Sequence, residues 1–274
     1  MKKIFIPIVA FATLLISCNE EYLDPTKPSQ DLVFGSREGI IGAANGLQQL
    51  WTIDRTSPVY NTITGNGFTT KELRLLNAGN VDEGELSVGG EVLSTKNNVV
   101  NNLWSQCLVI KSESQKVIDH IDVLTAETEK ASVLVHATIF KAMAITTMVQ
   151  YFQSVPLKTG KNATFDTRAD VLAEAIKILK ATEPILDKAT GVTGLVSTVN
   201  YKNTVYALLA RTYLMAGDYD NAIAYAAKVD LAVKSVFAFD QISPNPIAYI
   251  SITTNNVFQP VDLTLGLPAA LAPS

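Results

Sequence analysis

The chain has 274 residues, 22 basic and 26 acidic side chains, a formal charge of −4 and two cysteines. That length suits one large or two small domains with ample core. The acidic balance argues against a phosphate-backbone partner, which needs a basic face. Two cysteines, one of them inside the first twenty residues, exclude a disulfide framework.

Lys2 and Lys3 form a short positive segment ahead of an apolar run from 4 to 16, which is too short to span a bilayer. The run ends in Leu15-Ile16-Ser17-Cys18, which resembles the bacterial lipobox. That resemblance implies a leader over 1–17, cleavage before Cys18, and acyl chains on Cys18 as the lipidation site; several chains hold a protein on a membrane where one anchors it only marginally. A plain secretory signal and a membrane anchor helix are the alternatives. Residues 18–35, with Pro25 and Pro28, read as a tether and lead-in. The acidic pair Glu20-Glu21 is either solvated tether or, by its resemblance to the export signal of Bacteroidetes surface lipoproteins, an address to the cell surface.

Ser36 starts the first helix, which runs to about 53 with Ile40, Ala43, Ala44, Leu47, Leu50 and Trp51 on one face. From 54 to 97 regular periodicity fails, and the segment reads as a long irregular loop with room for short strands, containing an acidic run, Asp82-Glu83-Gly84-Glu85. A helix over 98 to about 124 places Leu103, Cys107, Ile110, Ser114, Val117 and Ile121 on a stripe. Thr125 reads as the cap of the next helix, which runs to about 153 and is ended by Val155-Pro156-Leu157. Asp166-Thr167 caps a further helix over 168–188, with a bend expected at Pro184.

The segment 200–229 reads as two helices folded together through Gly217-Asp218-Tyr219. Tyr206, Leu209, Ala210 and Tyr213 recur at helical spacing, and Ala222 and Ala226 share a small-residue stripe on the second helix. Gly217 supplies a positive φ and Asp218 a cap. This is the tetratricopeptide pattern, with an ordinary helical hairpin as the alternative. From 236 to 274 five prolines exclude one long helix, and the irregular segment reads either as short extended pieces packed on the helical body or as an incomplete unit. The fold class expected is all-α: a tetratricopeptide-like helical repeat scaffold over 36–235 with long irregular loops.

The order of these features resembles the SusD/RagB family of outer-membrane lipoproteins. The lipobox, Tyr22-Leu23-Asp24-Pro25, the helix with Ala137, Phe140 and Ala142 closing at Val155-Pro156-Leu157, Thr167-Arg168-Ala169-Asp170-Val171-Leu172, and Leu208-Leu209-Ala210-Arg211-Thr212-Tyr213-Leu214 before Gly217-Asp218-Tyr219 carry the likeness. It covers the N-terminal part of the family pattern, and His136 and Lys141 stand where the family usually offers Glu and Arg. The resemblance implies a non-enzymatic, cofactor-free protein of the outer membrane at the cell surface. Such a protein binds glycans or other nutrients and hands them to a SusC-like TonB-dependent transporter. The rival is a periplasm-facing lipoprotein whose repeats scaffold a protein assembly.

Sugar binding needs aromatic faces for the ring and forked polar groups for hydroxyls. Tyr60, Phe68, Arg74, Asn77 and Asn80 lie in the long irregular segment and are the candidate ligand contacts; pinning that segment to the body is the other reading of Tyr60 and Phe68. His120 and His136 lack zinc-ligand spacing, and Cys107 lies on an apolar stripe as a core residue. Asp82, Glu83 and Glu85 form either a solvated turn or a calcium-binding loop. No nucleophile elbow, phosphate loop or dinucleotide fingerprint is present. The anchor reading is checked by metabolic labelling: palmitate is incorporated into the wild-type chain and lost in Cys18→Ala, and labelling that persists in that variant contradicts it.

Overall fold

The computed structural model describes residues 30–160, 162–196, 198–253 and 256–261. Cys18, the lipobox and the lead-in from Tyr22 to Pro28 lie outside them. The architecture is all-α, a set of antiparallel helices stacked in chain order, with two short two-stranded sheets at its edge.

The N-terminal helices are α1 (Gln30–Phe34), α2 (Arg37–Thr52), α3 (Pro58–Thr69) and α4 (Val81–Val88). The central pair is α5 (Asn98–Asp119) and α6 (Glu127–Tyr151), followed by α7 (Arg168–Thr182), α8 (Tyr201–Ala216) and α9 (Tyr219–Ala226). Strand β1 (Leu73–Leu75) pairs antiparallel with β4 (Phe258–Pro260), and β2 (Ser154–Val155) with β3 (Asp166–Thr167). Helices α5 to α9 each pack on the next, and α2 lies across both α5 and α6.

Helix α6 is the axis. Its apolar residues run round the whole circumference, so it is long and apolar enough to cross a membrane by length and composition; here it is buried by its neighbours. Ala137, Ala142 and Ala144 are fully buried on it, small enough to let the flanking helices approach. His136 on α6 joins three helices. Its Nε2 meets the Ala44 carbonyl of α2 at 3.1 Å, its Nδ1 lies 3.5 Å from the Tyr201 hydroxyl of α8, and its ring packs on Phe140.

Local signals fix most boundaries. Ser36 caps α2 by accepting from Gly39 N, and Thr167 with Asp170 forms a reciprocal capping box on α7. Gly217 adopts φ 80°, ending α8, and Asp218 then caps α9. Leu209 and Tyr213 are buried as the helical spacing requires, and Tyr213 stacks on Tyr225 with ring centroids 5.5 Å apart. Cys107 is buried in the core, and burial raises its thiol pKa to about 12.

Several expectations are corrected. The segment 54–97 is not a loop: it contains α3, β1 and α4. Its Thr, Gly and Asn content hides a helix that Ser57 and Pro58 start in the usual way, with Pro at the first position. Within α3, the Thr62 and Thr64 hydroxyls bond carbonyls one turn back, and Gly67 leaves space into which the Leu73 side chain fits. A Cβ at Gly67 would come within 2.5 Å of Leu73. The end of the supposed tether is helical in α1, where Phe34 packs on His120 at 4.9 Å. Thr125 does not cap α6; Ala126 holds that place without a side-chain bond. Pro184 does not bend α7 but ends it in a 3-10 turn, Glu183–Ile185. On α9, Ala222 and Tyr225 face α8, whereas Ala226 is exposed.

Burial lowers the His136 pKa to about 4. The folded chain therefore keeps this imidazole neutral while an unfolded one takes a proton below about pH 6.5. Its contribution is complete above that pH and is lost as the pH falls toward the folded value, about 2 kcal/mol between pH 7 and pH 5. Urea unfolding at the two pH values checks this: His136→Gln, although less stable at pH 7, is expected to lose less on acidification than the wild type. Equal losses contradict it.

Candidate functional site

A cleft lined mainly by polar side chains lies between α3, α4 and the start of α5. It has a volume of about 450 Å³ and is walled by Arg55, Tyr60, Asn61, Asn80, Glu83 and Asn102. It is built on a turn. Asp54 adopts φ 65°, and its carbonyl accepts from the Ser57 backbone N–H and hydroxyl, which places Arg55 at the entrance to α3. Asn61, one turn into that helix, braces the turn by donating Nδ2 to the Arg55 carbonyl at 3.0 Å and the Ser57 carbonyl at 2.9 Å.

A buried carboxylate sets the cleft floor. Glu83 on α4 is only 2% exposed, and its Oε1 accepts from the Tyr60 hydroxyl at 2.7 Å and from Arg55 Nη2. Arg55 Nη2 also donates to Asn80 Oδ1 at 3.1 Å, and its guanidinium lies 5.6 Å from the Tyr60 ring centroid. A carboxylate this deep needs such partners. Burial pulls the Arg55 pKa down, but the bond and charge of Glu83, with Tyr60, more than offset it and leave it raised. Burial first, and then the Glu83 charge, drive the Tyr60 phenol pKa upward, so this hydroxyl stays protonated as a donor.

The remaining acids of the run hold α4 to α5. Asp82 accepts from Asn98 N and Nδ2, both at 2.8 Å, and Glu85 accepts from Asn97 Nδ2 at 2.9 Å and Ser94 N at 3.1 Å. Asn97 itself caps α5. The acidic run is therefore not a solvated turn: it lies in α4, and each of its carboxylates accepts from protein donors. Two asparagines of the cleft wall keep unused hydrogen-bonding capacity. Asn61 is 1% exposed, yet its Oδ1 has no hydrogen-bond partner, an uncommon state for a buried carboxamide. Asn102 lines the cleft and has no side-chain hydrogen bond among the described residues.

The residues expected to contact ligand separate into three groups. Asn80 and Tyr60 belong to the cleft, but Tyr60 is 1% exposed and presents its hydroxyl to Glu83, not a ring face to solvent. Phe68 is fully buried and packs edge-on against Phe258 at 5.8 Å, in a small core shared with Leu86 and Val99. Neither ring is available for stacking; both pin the segment to the body. Arg74 sits on β1 opposite Gln259 of β4, and with the Gln259 amide oxygen turned toward it Nε donates at 2.6 Å. Asn77 closes the turn before α4, its Oδ1 accepting from Gly79 N at 2.9 Å. Neither lines the cleft. Arg55, Asn61 and Asn102 were not singled out from sequence, and Glu83 only as a member of the acidic run. The Ser57-Pro58 start signal and the asparagine density of Asn97-Asn98 and Asn101-Asn102 are the cues that point to them.

No protein-family model matches the chain, and no curated protein matches it. Among solved structures it is similar to a SusD-like carbohydrate-binding protein from Bacteroides fragilis NCTC 9343, with a TM-score of 0.56 and 14% sequence identity. The match covers 72% of this chain but 40% of that one. The fold is therefore SusD-like, and the chain spans less than half the length of that structure.

Replacing Glu83 strands the buried Tyr60 hydroxyl. Glu83→Ala is expected to lower unfolding free energy by about 2–3 kcal/mol. The urea midpoint measures this, and a change under about half a kcal/mol contradicts the clamp.

Proposed function

We propose that the chain is a non-catalytic binding protein whose Arg55–Asn102 cleft takes a neutral, hydroxyl-rich ligand, a glycan in the first instance. The observation that carries the reading is the Asn102 amide, which lines the cleft and has no side-chain hydrogen bond among the described residues. That amide offers a fork of donor and acceptor on a helix, which is what discriminates hydroxyl groups. The charge pattern favours a neutral sugar. Arg55 is engaged with Glu83, and Asp82 leaves the local balance acidic, so an anionic sugar finds no uncommitted cation there. The SusD-like fold, found in a carbohydrate-binding protein, supports the same ligand class.

On this reading the protein is anchored through Cys18 in the outer membrane at the cell surface and passes its ligand to a SusC-like TonB-dependent transporter. The lipobox-like leader and the acidic residues after Cys18 support the location. The scaffold alternative draws on one feature of the fold: Leu214 on α8 and Tyr219 and Ile223 on α9 are each exposed. Protease shaving of intact cells separates the two locations, since a periplasm-facing chain survives.

Calorimetric titration against a panel of neutral oligosaccharides tests the cleft. A ligand is expected to bind, with affinity falling about fivefold to tenfold in Asn102→Ala as one net hydrogen bond is lost, at an unchanged urea midpoint. Binding that is indifferent to Asn102, or confined to acidic glycans, contradicts the assignment.

A further inference from the structure

A second concavity lies on the other helices of the fold, apart from the cleft above. It is a groove of about 400 Å³ between α6, α8 and the segment after α9, which crosses α8 as a strap. Phe140 and Met143 of α6, Leu208 of α8, and Val233, Val236 and Phe237 of the strap make its walls.

The groove is preformed, because the strap is fastened along its length. Asn203 near the start of α8 donates Nδ2 to the carbonyls of Asp230 and Val233 at 2.9 and 3.1 Å, and its Oδ1 accepts from Asp230 N at 2.7 Å. Further on, the Ser235 hydroxyl lies 2.6 Å from that of Thr204 and accepts from Asn200 N at 3.0 Å. The Phe237 ring then packs 6.3 Å from Phe140. These bonds consume most of the polar side chains along the wall and leave an apolar interior. The Asp230 carboxylate is engaged in its own turn, accepting from Ala232 N at 2.9 Å.

Arg211 also lines this groove, and it differs from the other arginine that edges a cleft. Arg55 is neutralised by a buried carboxylate, whereas Arg211 meets a neutral partner, Gln150 Oε1, at 2.9 Å. No carboxylate pairs with it among the described residues. An exposed guanidinium with spare donors beside an apolar groove matches a ligand with an anionic head and an apolar body.

We propose that this groove binds a small amphipathic carboxylate, its apolar part against Phe140, Met143 and Leu208 and its carboxylate on Arg211. The site is independent of the glycan cleft, and either assignment stands or fails without the other. Ala207 provides the means to block it: it is an exposed residue of α8 that lines the groove, so a large side chain there fills the space without entering the core.

The test is calorimetric titration of the full chain with decanoate below its micelle-forming concentration, and in parallel with decyltrimethylammonium. Wild type is expected to bind one decanoate saturably and not the cation. Arg211→Gln is expected to weaken decanoate at least tenfold, and Ala207→Trp to abolish binding, each at the wild-type urea midpoint. The proposal is overturned by absence of saturable decanoate binding to wild type, by equal binding of the cation, or by decanoate affinity that survives both substitutions.

Discussion

The fold depends on one constraint, the helix α6. A helix that is apolar on every side has two stable environments, a membrane or the centre of a protein, and here α2, α5, α7 and α8 enclose it. Every other placement follows. The small residues Ala137, Ala142 and Ala144 set how near the neighbours come, and His136 reaches from this axis to α2 and α8. Neutral at ordinary pH, it satisfies a buried carbonyl without placing a charge in the core. The helical hairpins then stack outward from α6 in chain order, as in repeat proteins, where each unit buries its apolar face on the one before.

The two concave features occupy the margins of this stack and are built on opposite electrostatic principles. In the cleft, a buried carboxylate demands an arginine and a tyrosine, and satisfying it leaves Arg55 engaged. What remains available there is neutral: amide groups on a fixed frame. In the groove, the polar groups are spent on fastening the strap, so the interior is apolar and Arg211 at its edge keeps its capacity for an anion. One chain thus offers two chemically distinct surfaces, because hydrogen-bonding capacity has been consumed at different places in each.

Much of the helical frame was legible in the sequence, and the reasons are local. Ser36, Thr167, Gly217 and Asp218 act through their own backbone neighbours, so their roles survive without knowledge of tertiary packing. The region 54–97 was not legible, because α3 is held less by propensity than by burial of Tyr60, Thr64 and Phe68 against elements far along the chain. The same cause misdirected the candidate site. Aromatic residues in a supposed loop read as exposed, whereas β4, beginning at Phe258, closes over them. The cleft itself depends on a contact spanning Arg55 to Glu83, which no spacing rule encodes. Of the five residues read as ligand contacts, Tyr60 and Asn80 line the cleft, Asn80 through a bond to Arg55 that the sequence does not announce.

The central claim is that a neutral glycan occupies the cleft against Asn102, above the buried Asn61. Side-chain amide resonances of an isotopically labelled chain address it directly, since each asparagine reports its own contacts as ligand is added. The account predicts saturable shifts at the Asn61, Asn80 and Asn102 amides and at Arg55 Nε, with the Asn200 and Asn203 amides beside the strap unmoved. Shifts confined to the α8–α9 face or to the groove, with Asn61 and Asn102 unchanged at saturating ligand, would contradict it.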